Sequence, residues 1–178
     1  HVDINKIKLD EITDYDFIIS FGYRYIVKKD IIEYFGKKII NCHISYLPYN
    51  RGSDPNIWSL LTDTPSGVTI HLLTEKLDEG DIMYQEIVKI SDEETLASSY
   101  EILIKSMTKL LLDNINEILD GNFIHTPQDH SKHTYYKLKD RPDFNIICPN
   151  SWDTKRKVVK RLYIENFIKE KNTDDIWY

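Results

Sequence analysis

A strand–helix–strand unit near the start of the chain limits the possible folds more than any other feature. Asp16–Phe21 is a short apolar run that ends at Gly22, and Lys38–Ser45 is a second such run. Between them, Val27–Phe35 has the apolar spacing of a helix, which Gly36 would end. A strand, a helix and a strand within about thirty residues form a βαβ unit with parallel neighbouring strands. The sequence therefore predicts an α/β fold.

The following residues extend this pattern. Asp54-Pro55 is typical of a helix start, with an N-cap and a proline at the first helical position. Gly67–Leu73 and Tyr84–Ile90 predict two further strands, which should be antiparallel across a charged turn. Ser91–Glu94 is expected to be the capping box of a long helix that Gly121 ends.

Composition and charge exclude several classes of protein. The 178 residues are 41% hydrophobic and 29% charged, which suits one globular domain with a core. The net charge of −6 argues against a general nucleic-acid surface, which needs basic faces. Cys42 and Cys148 favour a reducing, cytoplasmic compartment over a disulfide framework. No apolar run reaches membrane-spanning length, and no metal site is predicted, since His125, His130 and His133 lack accompanying cysteines.

Three polar residues alternate along the second strand. Asn41, His43 and Ser45 would share one face of it, and the residues between them would point into the core. An amide donor beside an imidazole can polarise a carbonyl and move a proton, and an aspartate from the later turn Leu77–Asp81 can orient the imidazole. A single histidine at a strand end is usually structural, and aspartate and glycine are ordinary turn residues. Their combination favours a catalytic site.

Three segments together resemble the folate-dependent formyltransferases. Asn41–Gly52 is similar to their signature Asn-x-His-x-Ser-x-Leu-Pro-x-x-Arg-Gly, Ser66–Ile70 to their next strand, and Leu77–Ile82 to their Leu-Asp-x-Gly-Asp loop. The resemblance covers roughly residues 16–128 and is weak from Pro142 onward. It implies a Rossmann-like fold with a mostly parallel sheet flanked by helices. The family's folds open with a further βα unit, and the comparison leads us to expect that this unit is missing or incomplete in this sequence. Residues 1–128 would form the catalytic core, and residues 129–178 an extension packed on it.

The resemblance also implies an activity, the transfer of a formyl group from 10-formyltetrahydrofolate to an amine. The catalytic residues would be Asn41, His43 and Asp81. The folate would lie against Gly22, Tyr23, Arg24, Tyr25, Ile26, Leu77, Asp78 and Gly80. The amine substrate would lie against Ser45, Tyr46, Tyr49, Arg51 and Gly52. In this mapping Asn41 and His43 donate to the developing oxyanion, and Asp81 holds His43 in its useful tautomer.

Among the family's acceptors, the sequence favours a nucleotide-linked amino sugar. Tyr46–Asn56 most resembles the small sugar N-formyltransferases, and Thr134–Asp140 is a stretch that the glycinamide ribonucleotide branch lacks. The methionyl-tRNA branch adds a basic domain, for which this chain is too short and too acidic. Arg51 would bind a phosphate of the acceptor or tie down its own loop. Formyl transfer to those other amines, a formyltetrahydrofolate hydrolase and a non-catalytic folate-binding module stay open. Related enzymes are often dimers, so a homodimer is a further expectation.

Overall fold

The computed structural model describes residues 5–169. Its strands are β1 (Ile18–Phe21), β2 (Ile39–His43), β3 (Arg51–Gly52), β4 (Gly67–Leu72), β5 (Ile82–Ile87) and β6 (Tyr135–Tyr136). Its α-helices are α1 (Lys29–Phe35), α2 (Pro55–Leu61), α3 (Leu96–Asp120), α4 (Phe144–Ile147) and α5 (Arg156–Tyr163). Short 3-10 helices lie at Leu9–Glu11, Gly36–Lys38, Leu138–Asp140 and Ser151–Asp153, and a π-helix at Ile164–Ile168. Residues 170–178, which belong to the expected extension, lie outside the described residues.

The central sheet has the strand order β1-β2-β4-β5, with helices packed on it, and this confirms the α/β class. The predicted βαβ unit forms, because β1 and β2 are parallel and α1 connects them. The other two pairings, β2 with β4 and β4 with β5, are antiparallel. The sheet is therefore mixed rather than mostly parallel, because the chain returns from α2 in the opposite direction. β1 is an edge strand of this sheet in the described part of the chain.

Apolar side chains cover both faces of the sheet. On one face α3 packs on β2 and β4, with Leu103 and Met107 against Ile40 and Ile70. On the other face, a second cluster joins Ile12, Val27, Ile31, Phe35 and Ile39. Burial of this kind is the dominant favourable term in folding. It fixes β2 between two layers and leaves its carboxyl end free to carry polar groups.

Two helix starts differ in detail from the sequence prediction. The N-cap of α3 is Thr95, whose side chain accepts a hydrogen bond from the Ser98 backbone N–H, and not the expected Ser91–Glu94 segment. Pro55 does begin α2, but the Asp54 side chain makes no capping bond. It pairs with Arg141 at 3.2 Å instead, so a later segment of the chain holds it.

Residues after 128 pack against the region that follows β2. β3 pairs in parallel with β6, and the rings of Trp58 and Tyr136 stack with their centroids 3.7 Å apart. A third apolar cluster joins α2 to Ile147 and Val159. Within residues 5–169, no helix is both long and apolar enough to cross a bilayer.

Candidate active site

Four polar side chains meet at one end of the central sheet. Asn41 and His43 come from β2, and His71 of β4 lies directly opposite Asn41 in the antiparallel register. Asp78 enters from the loop Leu77–Asp81, called here the aspartate loop. His43, His71 and Asp78 are all buried. The strand pairing therefore builds the cluster, and the loop completes it.

The amide of Asn41 has a defined orientation. Its Oδ1 accepts a hydrogen bond of 2.8 Å from the Ser20 hydroxyl, and its Nδ2 donates to Asp78 Oδ1 at 3.2 Å. A flipped amide would set its oxygen against the Asp78 carboxylate, which can only accept. Nδ2 also lies 3.2 Å from His71 Nε2. Both N–H groups thus point into the site, and the bond to Asp78 is long enough for a substrate oxygen to replace it.

Both ring nitrogens of His43 face acceptors. Nε2 lies 3.0 Å from the carbonyl oxygen of Asn50, so this nitrogen carries a proton. Nδ1 faces Asp78 Oδ2 at 3.7 Å. A doubly protonated imidazolium satisfies both neighbours, and a neutral ring satisfies only the first. The arrangement suits a group that takes up and releases a proton beside a fixed negative charge.

Asp78 is a buried carboxylate in a polar cage. Burial alone would raise its pKa, but the charge of His43, the bond and charge of His71, and the backbone N–H of Gly52 outweigh burial. The pKa of Asp78 is therefore held well below its usual range. Gly52 N donates to its Oδ2 at 2.8 Å. The backbone of Asp78 has a φ of 53°, in the left-handed region that non-glycine residues rarely adopt.

The lowered pKa of Asp78 makes protein stability depend on pH. Below the unfolded-state pKa of about 4, the unfolded chain binds a proton at this group that the folded chain does not bind. The stabilisation is therefore complete above that pH and is lost as the pH falls through the folded-state pKa. Urea unfolding between about pH 6 and about pH 3 should show a steeper loss of stability for the wild type than for Asp78→Asn. Parallel curves for the two proteins would contradict this expectation.

Asp81 does not contact His43. Its carboxylate Oδ2 lies 2.8 Å from Nδ1 of His125, whose Nε2 lies 3.0 Å from the Lys37 amine. The place beside His43 that the sequence prediction gave to Asp81 is occupied in the structure by Asp78. The two aspartates are three residues apart, and the turn between them sends their side chains to different places.

The predicted substrate residues mostly lie away from the open space. Ser45 donates to the carbonyl of Tyr49 at 2.8 Å and is buried. Arg51 is 1% exposed and bonds to Gln128 through two of its nitrogens, so it does not face a substrate phosphate. Tyr46 and Tyr49 do not line the cleft described below, whereas Gly52 does. The loop-supporting role of Arg51 is the one that the structure favours.

A cleft of about 410 Å³ opens over the cluster. Asn41, His43 and His71 form its polar floor. Of the predicted folate residues, those that line it are Gly22, Tyr23, Arg24, Tyr25, Ile26, Leu77 and Asp78. Gly80 does not line it; a Cβ there would lie 1.7 Å from the Leu72 oxygen, so this glycine serves the turn. The size suits a small-molecule site.

Sequence reasoning missed His71, which belongs to the cluster, and Ser20, which bonds to Asn41. His71 sits within the apolar run Gly67–Leu73 and donates from Nδ1 to the Leu72 carbonyl at 2.8 Å. A histidine in such an apolar run indicates a possible functional residue, but only the register of β4 against β2 shows that His71 lies opposite Asn41. Ser20 pairs with Asn41 across β1 and β2 in the same way.

Among residues 5–169, no group of three or more histidine, cysteine, aspartate or glutamate side chains is placed to hold a metal. His125 pairs with Asp81, and the rings of His130 and His133 lie edge to face with centroids 6.4 Å apart. Burial raises the pKa of the Cys42 thiol to about 12, so this residue of the central motif is a core group.

The fold and this cluster define an α/β protein with an amide, an imidazole and a carboxylate at the end of a central strand. The chain belongs to the formyl transferase family, whose model matches residues 6–115. Methionyl-tRNA formyltransferase of Clostridium novyi is 35% identical over 127 residues, which are 71% of this chain and 41% of that protein. The chain spans about two fifths of the length of the curated relatives it matches.

Solved structures of sugar-modifying relatives are also similar. The formyltransferase PseJ from Anoxybacillus kamchatkensis, in complex with UDP-4,6-dideoxy-4-formamido-L-AltNAc and tetrahydrofolate, is 40% identical with a TM-score of 0.84. The match covers 88% of this chain and 84% of that one. An N-formyltransferase from Helicobacter canadensis, in complex with folinic acid and dTDP-3-aminofucose, is 25% identical with a TM-score of 0.72. That match covers 92% of this chain and 61% of the other.

Proposed function

We propose that this protein transfers a formyl group from 10-formyltetrahydrofolate to the amine of a nucleotide-linked amino sugar. The observation that carries the proposal is the cleft over Asn41, His43 and Asp78, which combines oxyanion donors with a proton-handling pair. The amino-sugar acceptor is supported by the likeness to PseJ, which extends over most of both chains.

The cleft suits the folate in a second respect. The backbone N–H and C=O groups of Arg24, Tyr25 and Ile26 make no hydrogen bond to other described residues, and these residues line the cleft. A pterin ring has an edge of alternating donors and acceptors that such free backbone groups can bind. Leu77 also lines the cleft, is half exposed and offers an apolar contact for the ring. The folate supplies the formyl carbon at this site.

Each member of the cluster has a defined role in the proposal. Asn41 stabilises the negative charge that grows on the formyl oxygen as the amine attacks, and it uses an N–H that now bonds to Asp78 or His71. A new bond joins the amine nitrogen to the formyl carbon, and the bond from that carbon to the folate nitrogen breaks. The pair of Asp78 and His43, whose facing atoms are 3.7 Å apart, takes up the proton that the attacking amine loses, and the departing folate nitrogen receives a proton in return, directly or through water.

The direct experiment incubates the protein with 10-formyltetrahydrofolate and a set of UDP- and dTDP-linked amino sugars. A mass gain of one formyl group on a sugar nucleotide, with tetrahydrofolate formed in equal amount, is the expected result. Formate release that no amine accelerates would indicate a hydrolase and overturn the proposal. Folate binding without any turnover would identify a binding module instead.

The likeness to methionyl-tRNA formyltransferases makes charged tRNA the second acceptor to test. Affinity for tRNA rests largely on basic contacts to phosphates, and this chain has a net charge of −6. Formylation of methionyl-tRNA in the same assay, without formylation of any sugar nucleotide, would replace the proposed substrate. The expected homodimer stays a prediction.

A further inference from the structure

One buried side chain, Gln128, connects the aspartate loop to Arg51. Its Nε2 donates to two carbonyl oxygens of the loop, Asp78 O at 2.9 Å and Gly80 O at 2.7 Å. Its Oε1 accepts from Arg51 Nε at 3.1 Å and from Arg51 Nη2 at 2.7 Å. The amide thus uses both of its donors and both of its acceptor positions, which is its full capacity. It is 4% exposed, so water does not substitute for these bonds.

The loop segment that Gln128 binds is one that needs support. Asp78 has its left-handed φ there, a conformation that costs free energy for a residue with a side chain. Gln128 binds the carbonyls of residues 78 and 80, so it fixes the peptide units 78–79 and 80–81, which lie on either side of the Glu79-Gly80 pair. A change in this backbone would rotate the Asp78 carboxylate away from His43.

Arg51 determines which way the Gln128 amide points. Two guanidinium nitrogens face its oxygen, so the amino group must face the loop carbonyls. The remaining nitrogen, Nη1, lies 3.4 Å from Glu79 Oε1. The residue after Arg51 supplies the backbone N–H that bonds to Asp78 Oδ2. Strand β3 therefore contacts the Asp78 side chain directly, through Gly52. It also supports the Asp78 backbone indirectly, because Arg51 orients Gln128.

We propose that Gln128, oriented by Arg51, is a positioning residue that keeps the Asp78 carboxylate beside the His43 ring. This inference rests on the proposed function, because it assigns Gln128 a role in the same proton-handling pair. Gln128 touches neither the cleft nor the reacting atoms. Its contribution is to hold the left-handed turn that aims the carboxylate.

The test replaces the amide in two ways. Gln128→Met has a similar length and cannot form any of the four bonds. Gln128→Glu keeps the contact with Arg51, which favours a folded protein, but it lacks the amino group that binds both carbonyls. We expect each folded variant to lower kcat by about 10- to 100-fold, since small displacements of a catalytic group have effects of this size. The KM for the amine should change little.

A second readout separates positioning from general stability. The pKa of the Asp78 carboxyl, measured by ¹³C NMR, should rise toward its usual range in Gln128→Met, which adds no charge, as the carboxylate moves away from its partners. The charged and titratable groups around it are His43, His71, Arg51 and Glu79. Asn56→Leu is the control, because Asn56 is also a buried amide, bonded to Ser99 at 3.1 Å away from the cluster. It should lower the melting temperature without moving kcat or the Asp78 pKa.

An unchanged kcat in folded Gln128→Glu, or an unchanged Asp78 pKa in folded Gln128→Met, would overturn the inference. So would equal effects of the Asn56→Leu control on both quantities. The NMR measurement needs no substrate, so it tests the positioning role even if the wild type formylates none of the acceptors. That latter result would contradict the proposed function alone.

Discussion

Replacing His43 with alanine should lower kcat for formyl transfer by about 10²–10⁴-fold, the range typical for loss of an acid–base group. The reason is that His43 lies in the cleft floor, faces the Asp78 carboxylate with one ring nitrogen and carries a proton on the other. Initial rates at saturating folate and amino sugar give the measurement.

His133→Ala is the matched control for this change. His133 is exposed and does not line the cleft, so its loss should leave kcat within a few-fold of the wild type. Circular dichroism and thermal unfolding would establish that His43→Ala is folded. A folded His43→Ala variant with nearly wild-type initial rates would remove His43 from the mechanism.

Asp78→Asn and Asp81→Asn should differ widely in activity, although the two residues lie in one short loop. Asp78→Asn removes the carboxylate charge that faces His43, and its kcat should fall by about 10²–10⁴-fold. Asp81→Asn alters a pair with His125 outside the cluster, and its kcat should stay within a few-fold of the wild type.

The comparison decides between two assignments of the catalytic carboxylate. Each substitution keeps the size of the side chain and removes one charge, so the two variants control for each other. If Asp81→Asn loses activity as strongly as Asp78→Asn, the contact with His125 belongs to the mechanism. If only Asp81→Asn loses activity, Asp81 is the catalytic carboxylate, as the sequence predicts.

Local patterns in the sequence were sufficient for much of the fold. The alternation of Asn41 and His43 placed both on one strand face, and both line the cleft. The apolar runs predicted β1 and β2 with their helix, and Gly121 marked the end of α3 with a φ of 73°. These features depend on neighbours within a few residues, which a sequence displays directly.

Features that depend on distant residues could not be predicted in this way. The loop contains two aspartates, and the choice between Asp78 and Asp81 depends on a backbone φ that several later contacts stabilise. The sequence shows Arg51 only as an arginine in a loop. Its burial and its bond to Gln128, 77 residues later, become apparent only in the structure. His71 met Asn41 only because β4 is antiparallel to β2 in one particular register.

The parallel pairing of β3 with β6 has a consequence for the order in which the molecule matures. Asn50 bonds to Thr134 across 84 residues, and Arg51 to Gln128 across 77. Contacts of such sequence separation form late, because the chain must first close a long loop. During synthesis the central sheet can therefore form before residues 128–136 have been added to the chain. The aspartate loop cannot take its final conformation until then, because Gln128 binds its carbonyl groups. Formyl transfer would then begin only in a completely folded chain, and enzyme activity would report completion of the last long-range contacts.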